Sequence, residues 1–109
     1  MIAVLNLFDI IPGKEKEYAK YLRLVQPVLD RHNAQVMIYG TTRMTFMGDD
    51  PQEYCGIIGY PSMRHLRAFS TDPEFETIRS LRDNSTMNYV LSVIEHVGTL
   101  AAAADDLER

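Results

Sequence analysis

The chain has 109 residues, 46% of them hydrophobic and 24% charged, with a formal net charge of −4. This length fits one domain with an adequate but thin core, and the composition excludes disordered, collagen-like and coiled-coil classes. An acidic balance argues against nucleic acid as the main partner, and a single cysteine, Cys55, excludes a disulfide framework or a cysteine-built metal site.

Met1–Ile11 reads as a β-strand stopped by the turn pair Pro12-Gly13. Ile2, Val4, Asn6, Phe8 and Ile10 share one face, and Ala3, Leu5, Leu7, Asp9 and Ile11 the other. Both faces are largely apolar, which predicts a central strand buried on both sides. The segment does not read as a signal peptide, because Asp9 interrupts it and no basic region precedes it. No apolar run approaches the ~20 residues of a membrane span, so the expectation is a soluble cytoplasmic protein without a membrane partner.

Lys14–His32 changes to a helical period, with Tyr18, Leu22, Val25, Leu29 and His32 on one stripe. Pro27 falls inside the run and is expected to kink or break it. Gln35–Met47 reads as a long strand with a bulge or bend at Gly40. Gly48-Asp49-Asp50-Pro51 makes the turn, and Glu53–Tyr60 returns as the second arm of a hairpin.

Ser62 is placed to cap a helix whose apolar stripe is Met63, Leu66 and Phe69. Asp72-Pro73 restarts a second helical piece, with Phe75, Ile78 and Arg82 on its inner stripe. Asp83-Asn84-Ser85 is expected to break it, and Met87–Val97 forms the last strand. The alanine-rich tail, Thr99–Arg109, has high helix propensity but needs a surface to dock on.

The order is β-α-β-β-α-β over residues 1–98, followed by a helical tail at 99–109. That is the ferredoxin-like α+β fold, an antiparallel four-stranded sheet with its helices on one face. The strands are apolar on the other face as well, and an open apolar sheet of that extent invites a partner. The simplest solution is a homodimer in which two such faces pack together.

Tyr18-Ala19-Lys20-Tyr21, Gly48-Asp49, Tyr60-Pro61-Ser62 and Asp72-Pro73-Glu74-Phe75 followed by Leu81-Arg82 resemble the domain-of-unknown-function 1330 family. That family sits in the dimeric α+β barrel superfamily, and the resemblance runs from Met1 to about Gly98. It implies a homodimeric barrel with a cleft between sheet and helices. The wider superfamily includes cofactor-independent oxygenases, isomerases, polyketide cyclases and haem-degrading enzymes, so fold membership does not fix the reaction. This chain also departs from the family pattern. It has Tyr39-Gly40-Thr41 where relatives often have Arg-Gly-Gly, and Gly59-Tyr60-Pro61-Ser62 where they often have Glu-Phe-Pro-Ser.

Arg82 is the leading candidate: it ends an apolar stripe and matches the family's arginine. Its guanidinium suits a ligand carboxylate or enolate, and the plain alternative is an ion pair with Asp83, Glu74 or a strand carboxylate. His96 and His65 are candidate general bases in a cleft, against ordinary interface or solvent-exposed positions. His32 suits the negative end of its helix. Tyr39 and Tyr60 offer hydroxyls to a ligand, and Asn6, polar on an apolar face, needs a hydrogen-bond partner or a ligand. Asp9 reads as a solvated strand terminus, and Cys55 as a buried inert thiol.

The histidines lack the spacing of a metal site, and no phosphate loop or nucleophile elbow is present, so no metal or cofactor is expected. The reading is an apolar or aromatic small-molecule ligand in the cleft, with cofactor-independent isomerase, cyclase or monooxygenase-type chemistry. The alternatives are a non-catalytic dimer with a side-chain-filled cleft, and a haem-degrading enzyme using His65 or His32.

Overall fold

Strand β1 (Ile2–Ile10) lies between β3 (Tyr54–Tyr60) and β4 (Thr86–Glu95), and β2 (Gln35–Thr41) forms the edge beyond β3. All pairings are antiparallel, giving the order β2-β3-β1-β4, the ferredoxin-like arrangement the sequence implies. The computed structural model describes residues 1–95 and 98–109. Helices α1 (Glu15–Arg31), α2 (Met63–Ser70) and α3 (Pro73–Ser85) cover one sheet face, and α4 (Leu100–Leu107) follows the last strand.

The alternation on β1 decides where the core sits. Val4 and Phe8 are buried against Tyr18, Val25, Val28 and Leu29 of α1, and the core extends through Phe69 of α2 and Phe75 of α3. Phe8, with no exposed surface, is the hub: its ring stacks on Tyr54 at 5.5 Å and on Tyr89 at 5.0 Å. The opposite face carries Leu5 between Ile57 and Ser92, and Leu7 between Cys55 and Val90. Among the described residues, no helix covers it. Cys55 lies on that face and is half-buried rather than buried.

The helix termini follow their side chains. Ser62 caps α2 by accepting from the His65 backbone N–H at 3.4 Å, and Asp72 caps α3 by accepting from the Glu74 N–H at 2.8 Å. Pro73 stands at the first turn of α3, where its missing N–H costs nothing.

Several local expectations are corrected. Pro27 does not break α1, which runs unbroken through an exposed position where water can serve the carbonyl that lost its donor. The bulge in β2 falls at Met37, where the register shifts between Val36 and Ile38, while Gly40 stays paired with Cys55. Strand β2 ends at Thr41 instead of Met47. Met44, Phe46 and Met47 beyond it lie outside the core and are exposed, Phe46 and Met47 almost fully. Helix α3 continues through Asp83-Asn84-Ser85, because the buried Ser85 hydroxyl returns to the Leu81 carbonyl at 2.5 Å and keeps the last turn closed. The tail forms the helix its composition anticipates, capped by Thr99, but none of α4 is buried and Leu100 is 91% exposed.

Asp9 is solvated near the end of β1, as expected, but it is not unpartnered. Its carboxylate accepts from the Glu53 N–H at 2.7 Å and from the Asn88 side-chain amide at 2.9 Å. These bonds tie together three segments beside the β1–β4 register shift, where Asn88 takes φ 54. They also hold the Asp9 carboxyl below its ordinary pKa, the backbone donor contributing most.

Candidate functional site

Between the sheet and the three covering helices lies a cavity of about 490 Å³. Its floor is the inner face of the sheet, including Val4, Asn6, Phe8, Tyr39 and Tyr89. Its walls come from α1, α2 and α3, including Tyr21, Leu66, Phe75 and Arg82. Rings follow one another around the space: Tyr18 touches Phe8, Phe8 stacks on Tyr89, and Phe75, Phe69 and Tyr60 close the far side. Gly56, opposite Asn6, leaves the Tyr39 ring free to lie on bare backbone; a Cβ there would stand 3.0 Å from Tyr39 Cδ2.

The polar groups in this lining are few and ordered. Tyr89 donates its hydroxyl to Asn6 Oδ1 at 2.8 Å, while Asn6 Nδ2 donates to the carbonyls of Gly56 and Val4 at 3.3 and 3.4 Å. Asn6 is thus a satisfied core amide at the cavity floor. The Tyr39 and Tyr18 hydroxyls share one hydrogen bond at 2.8 Å. Arg82 lies with its guanidinium carbon 5.4 Å from the Tyr89 ring centroid and 5.8 Å from that of Phe75, a cation–π arrangement. Its Nε also donates to Asp83 Oδ1 at 3.1 Å. Arg82 thus pairs with Asp83 and also forms part of the cavity wall.

Burial pushes the phenols of Tyr18, Tyr39, Tyr60 and Tyr89 up from their ordinary value. The Tyr21 phenol is also raised by burial, against the pull of the neighbouring Arg82 charge. These groups stay protonated at neutral pH and act as donors, not bases. Among the described residues, no carboxylate and no imidazole lines the cavity. No group of three His, Cys, Asp or Glu among them converges as a metal-binding set.

Of the residues singled out in the sequence, Asn6, Tyr39, Tyr60 and Arg82 line one cavity. His65 does not; its Nδ1 is 2.8 Å from Ser62 Oγ at the start of α2. His32 caps the end of α1, with Nε2 2.7 Å from Asp72 Oδ2. That contact, the Glu74 N–H and Arg31 together hold the Asp72 carboxyl well below its ordinary pKa, His32 contributing most. His96 lies outside the described residues. Val90, Ser92 and Ile94, with which alternation groups it, pair with Leu7, Leu5 and Ala3 on the face away from the cavity.

Tyr18, Tyr21, Gln26, Ser70, Arg79 and Tyr89 also line the space and carry polar groups that were not among the sequence's candidate site residues. Tyr21 had a signal, since Tyr21, Val25 and Val28 repeat at four and three residues and all three are buried. Tyr89 had a weaker one, as the lone aromatic of the last strand.

Residues 6–97 match the family described as domain of unknown function (DUF1330). No curated protein matches the chain in sequence. Among solved structures it is similar to a protein of unknown function from Rhodopseudomonas palustris, at 22% identity and a TM-score of 0.79. That match covers 90% of this chain and 83% of the other. A dimeric ferredoxin-like protein of unknown function from Jannaschia sp. CCS1 is 10% identical over 87% of this chain and 98% of its own, with a TM-score of 0.72. A candidate antibiotic biosynthesis monooxygenase from Caulobacter crescentus CB15 is 18% identical, covers 88% and 89%, and has a TM-score of 0.66. At these identities each likeness shows the fold alone. Among the described residues, no helix is long and apolar enough to cross a membrane.

Proposed function

This chain belongs to the DUF1330 family, and from that premise we propose a homodimeric protein that binds an apolar, aromatic small molecule between sheet and helices. The observation that carries this is the cavity: about 490 Å³ of space walled by aromatic rings, with Arg82 in the wall. That volume lies within the range of small-molecule sites, roughly 300–1,000 Å³. It is also hard to explain as packing, because a core of this size gains by filling such a space. Arg82 anchors the ligand, Tyr39 and Tyr60 offer hydroxyls, and Asn6 holds Tyr89 in place.

Donors of this kind stabilise an oxyanion but do not remove a proton. The described lining therefore supports binding and stabilisation of a ligand's oxyanion more directly than isomerase, cyclase or oxygenase chemistry. The haem alternative loses its support, since neither His32 nor His65 lines the cavity. The dimer is favoured by the open sheet face, where Ile38 is 60% exposed and Val90 and Ile94 nearly half. The dimeric state of the Jannaschia relative agrees with it.

Native mass spectrometry of the protein as purified tests this reading. The expected spectrum is a dimer that takes up aromatic small molecules at one per chain, lost in Leu22→Trp, which puts an indole into the cavity wall. A monomer, or uptake that Leu22→Trp leaves unchanged, contradicts it.

A further inference from the structure

We infer that the ligand of this cavity is an anionic aryl compound whose polar atoms are acceptors, a planar aromatic carboxylate or related oxyanion. This rests on the reading that the cavity is a ligand site, and it names the class that site selects.

The inference comes from counting what the cavity offers. Arg82 uses Nε on Asp83, and its guanidinium also meets the Tyr21 hydroxyl, a neutral group that offsets none of its charge. Asp83 is half-exposed at the surface, with 52% of its side chain accessible, whereas only 18% of the Arg82 side chain is. The inward side of the guanidinium is therefore poorly neutralised. Tyr21 lies beside that guanidinium, where its oxygen accepts from Arg82 and its proton is left to donate, and the Tyr60 hydroxyl adds a second donor to the lining. The Tyr18–Tyr39 pair holds two hydroxyl protons and one mutual hydrogen bond, so one proton remains to donate.

Charge sets the balance: Arg79 and Arg82 line the cavity, and among the described residues no carboxylate does. Acceptors are present in Asn6 Oδ1, the Gln26 amide and the tyrosine oxygens, and all of them are neutral. A cavity whose described charges are all cationic, in low dielectric, favours a ligand that brings an anionic acceptor and penalises one that brings a cation. A ring of aromatics also suits a cationic ligand in principle. Here the place is taken, because Arg82 already lies against Tyr89 and Phe75, and a second cation would meet its charge.

The test is calorimetric titration of the full chain with three compounds that share one aromatic body: 2-naphthoate, 2-naphthamide and 2-naphthylmethylammonium. The carboxylate should bind at one per chain and at least about 10-fold tighter than the amide, the ammonium being weakest, as loss of a charge-assisted hydrogen bond implies. Arg82→Gln should lower carboxylate affinity to that of the amide and leave the amide unmoved, while Arg82→Lys keeps part of the preference. If Arg82→Gln fails to fold by circular dichroism, Tyr21→Phe replaces it, with a loss of several-fold for the carboxylate only. Equal binding of carboxylate and amide to the wild-type protein overturns the anion assignment while leaving the cavity a ligand site. Failure of all three to bind overturns the ligand site itself.

Discussion

The two faces of one sheet are built from different chemistry. Toward the helices, β1 presents Val4, Asn6 and Phe8, and its neighbours add tyrosines and the guanidinium of Arg82 around an open space. Away from them it presents Ala3, Leu5 and Leu7, flanked by Ile57, Val90 and Ile94, with hardly a polar atom. A surface of aliphatic side chains asks only for shape and dryness, which a second copy of itself supplies. A lining of aromatic rings with spare donors asks for a ligand that has faces and acceptors. Alternation along nine residues thus sets out both proposed roles, one residue apart.

The sharpest way to separate the faces is to charge the plain one. By two-fold symmetry, Ile57→Lys puts two lysines into the proposed interface, each costing several kcal/mol if buried unpaired. Sedimentation should then report a species near 12.5 kDa in place of one twice that mass. A dimer that survives the change would place the interface elsewhere.

On the other face, Phe8→Ala removes the hub of the aromatic array and should cost about 3–5 kcal/mol in urea unfolding. A cost below about 1 kcal/mol would mean the array is not what holds sheet to helices. Asn6→Leu is milder. It strips the Tyr89 hydroxyl of its acceptor and should destabilise by about 1–3 kcal/mol, whereas an unchanged or raised stability would show that Asn6 serves no structural bond.

The smallest effect is expected from pH. Asp72 ties α3 to the end of α1, and its carboxyl is held below the ordinary value, so the unfolded chain binds its proton more readily than the folded one. The stability it contributes is complete above the unfolded value of about 3.9 and is lost as pH falls through the lowered one. Melting temperatures between pH 5 and pH 3 should fall less steeply in Asp72→Asn than in the wild type. Equal slopes would deny Asp72 that role.

The fold was legible because the β1 faces, the 3.6-residue stripes and the Ser62 and Asp72 caps are local signals, each written in a few consecutive residues. What escaped depends on context across the chain. Pro27 is harmless only because it faces water. The bulge goes to Met37 because β3 sets the register, and α3 outlasts its expected break because Ser85 is buried. In the site, Arg82, Tyr39, Tyr60 and Asn6 stand out as polar groups in apolar patterns, and they do converge. His65 looked equally polar and instead turns to Ser62, a contact that alternation and spacing do not encode. Asp9 looked free, and its partners lie 44 and 79 residues away.

The account stands most directly on where an aromatic acid settles. A crystal structure of the protein with 2-naphthoate should show its ring among Phe8, Tyr89 and Phe75, with the carboxylate on Arg82. A naphthoate bound only on the open sheet face, or a cavity closed by side-chain collapse with no ligand inside, would contradict it.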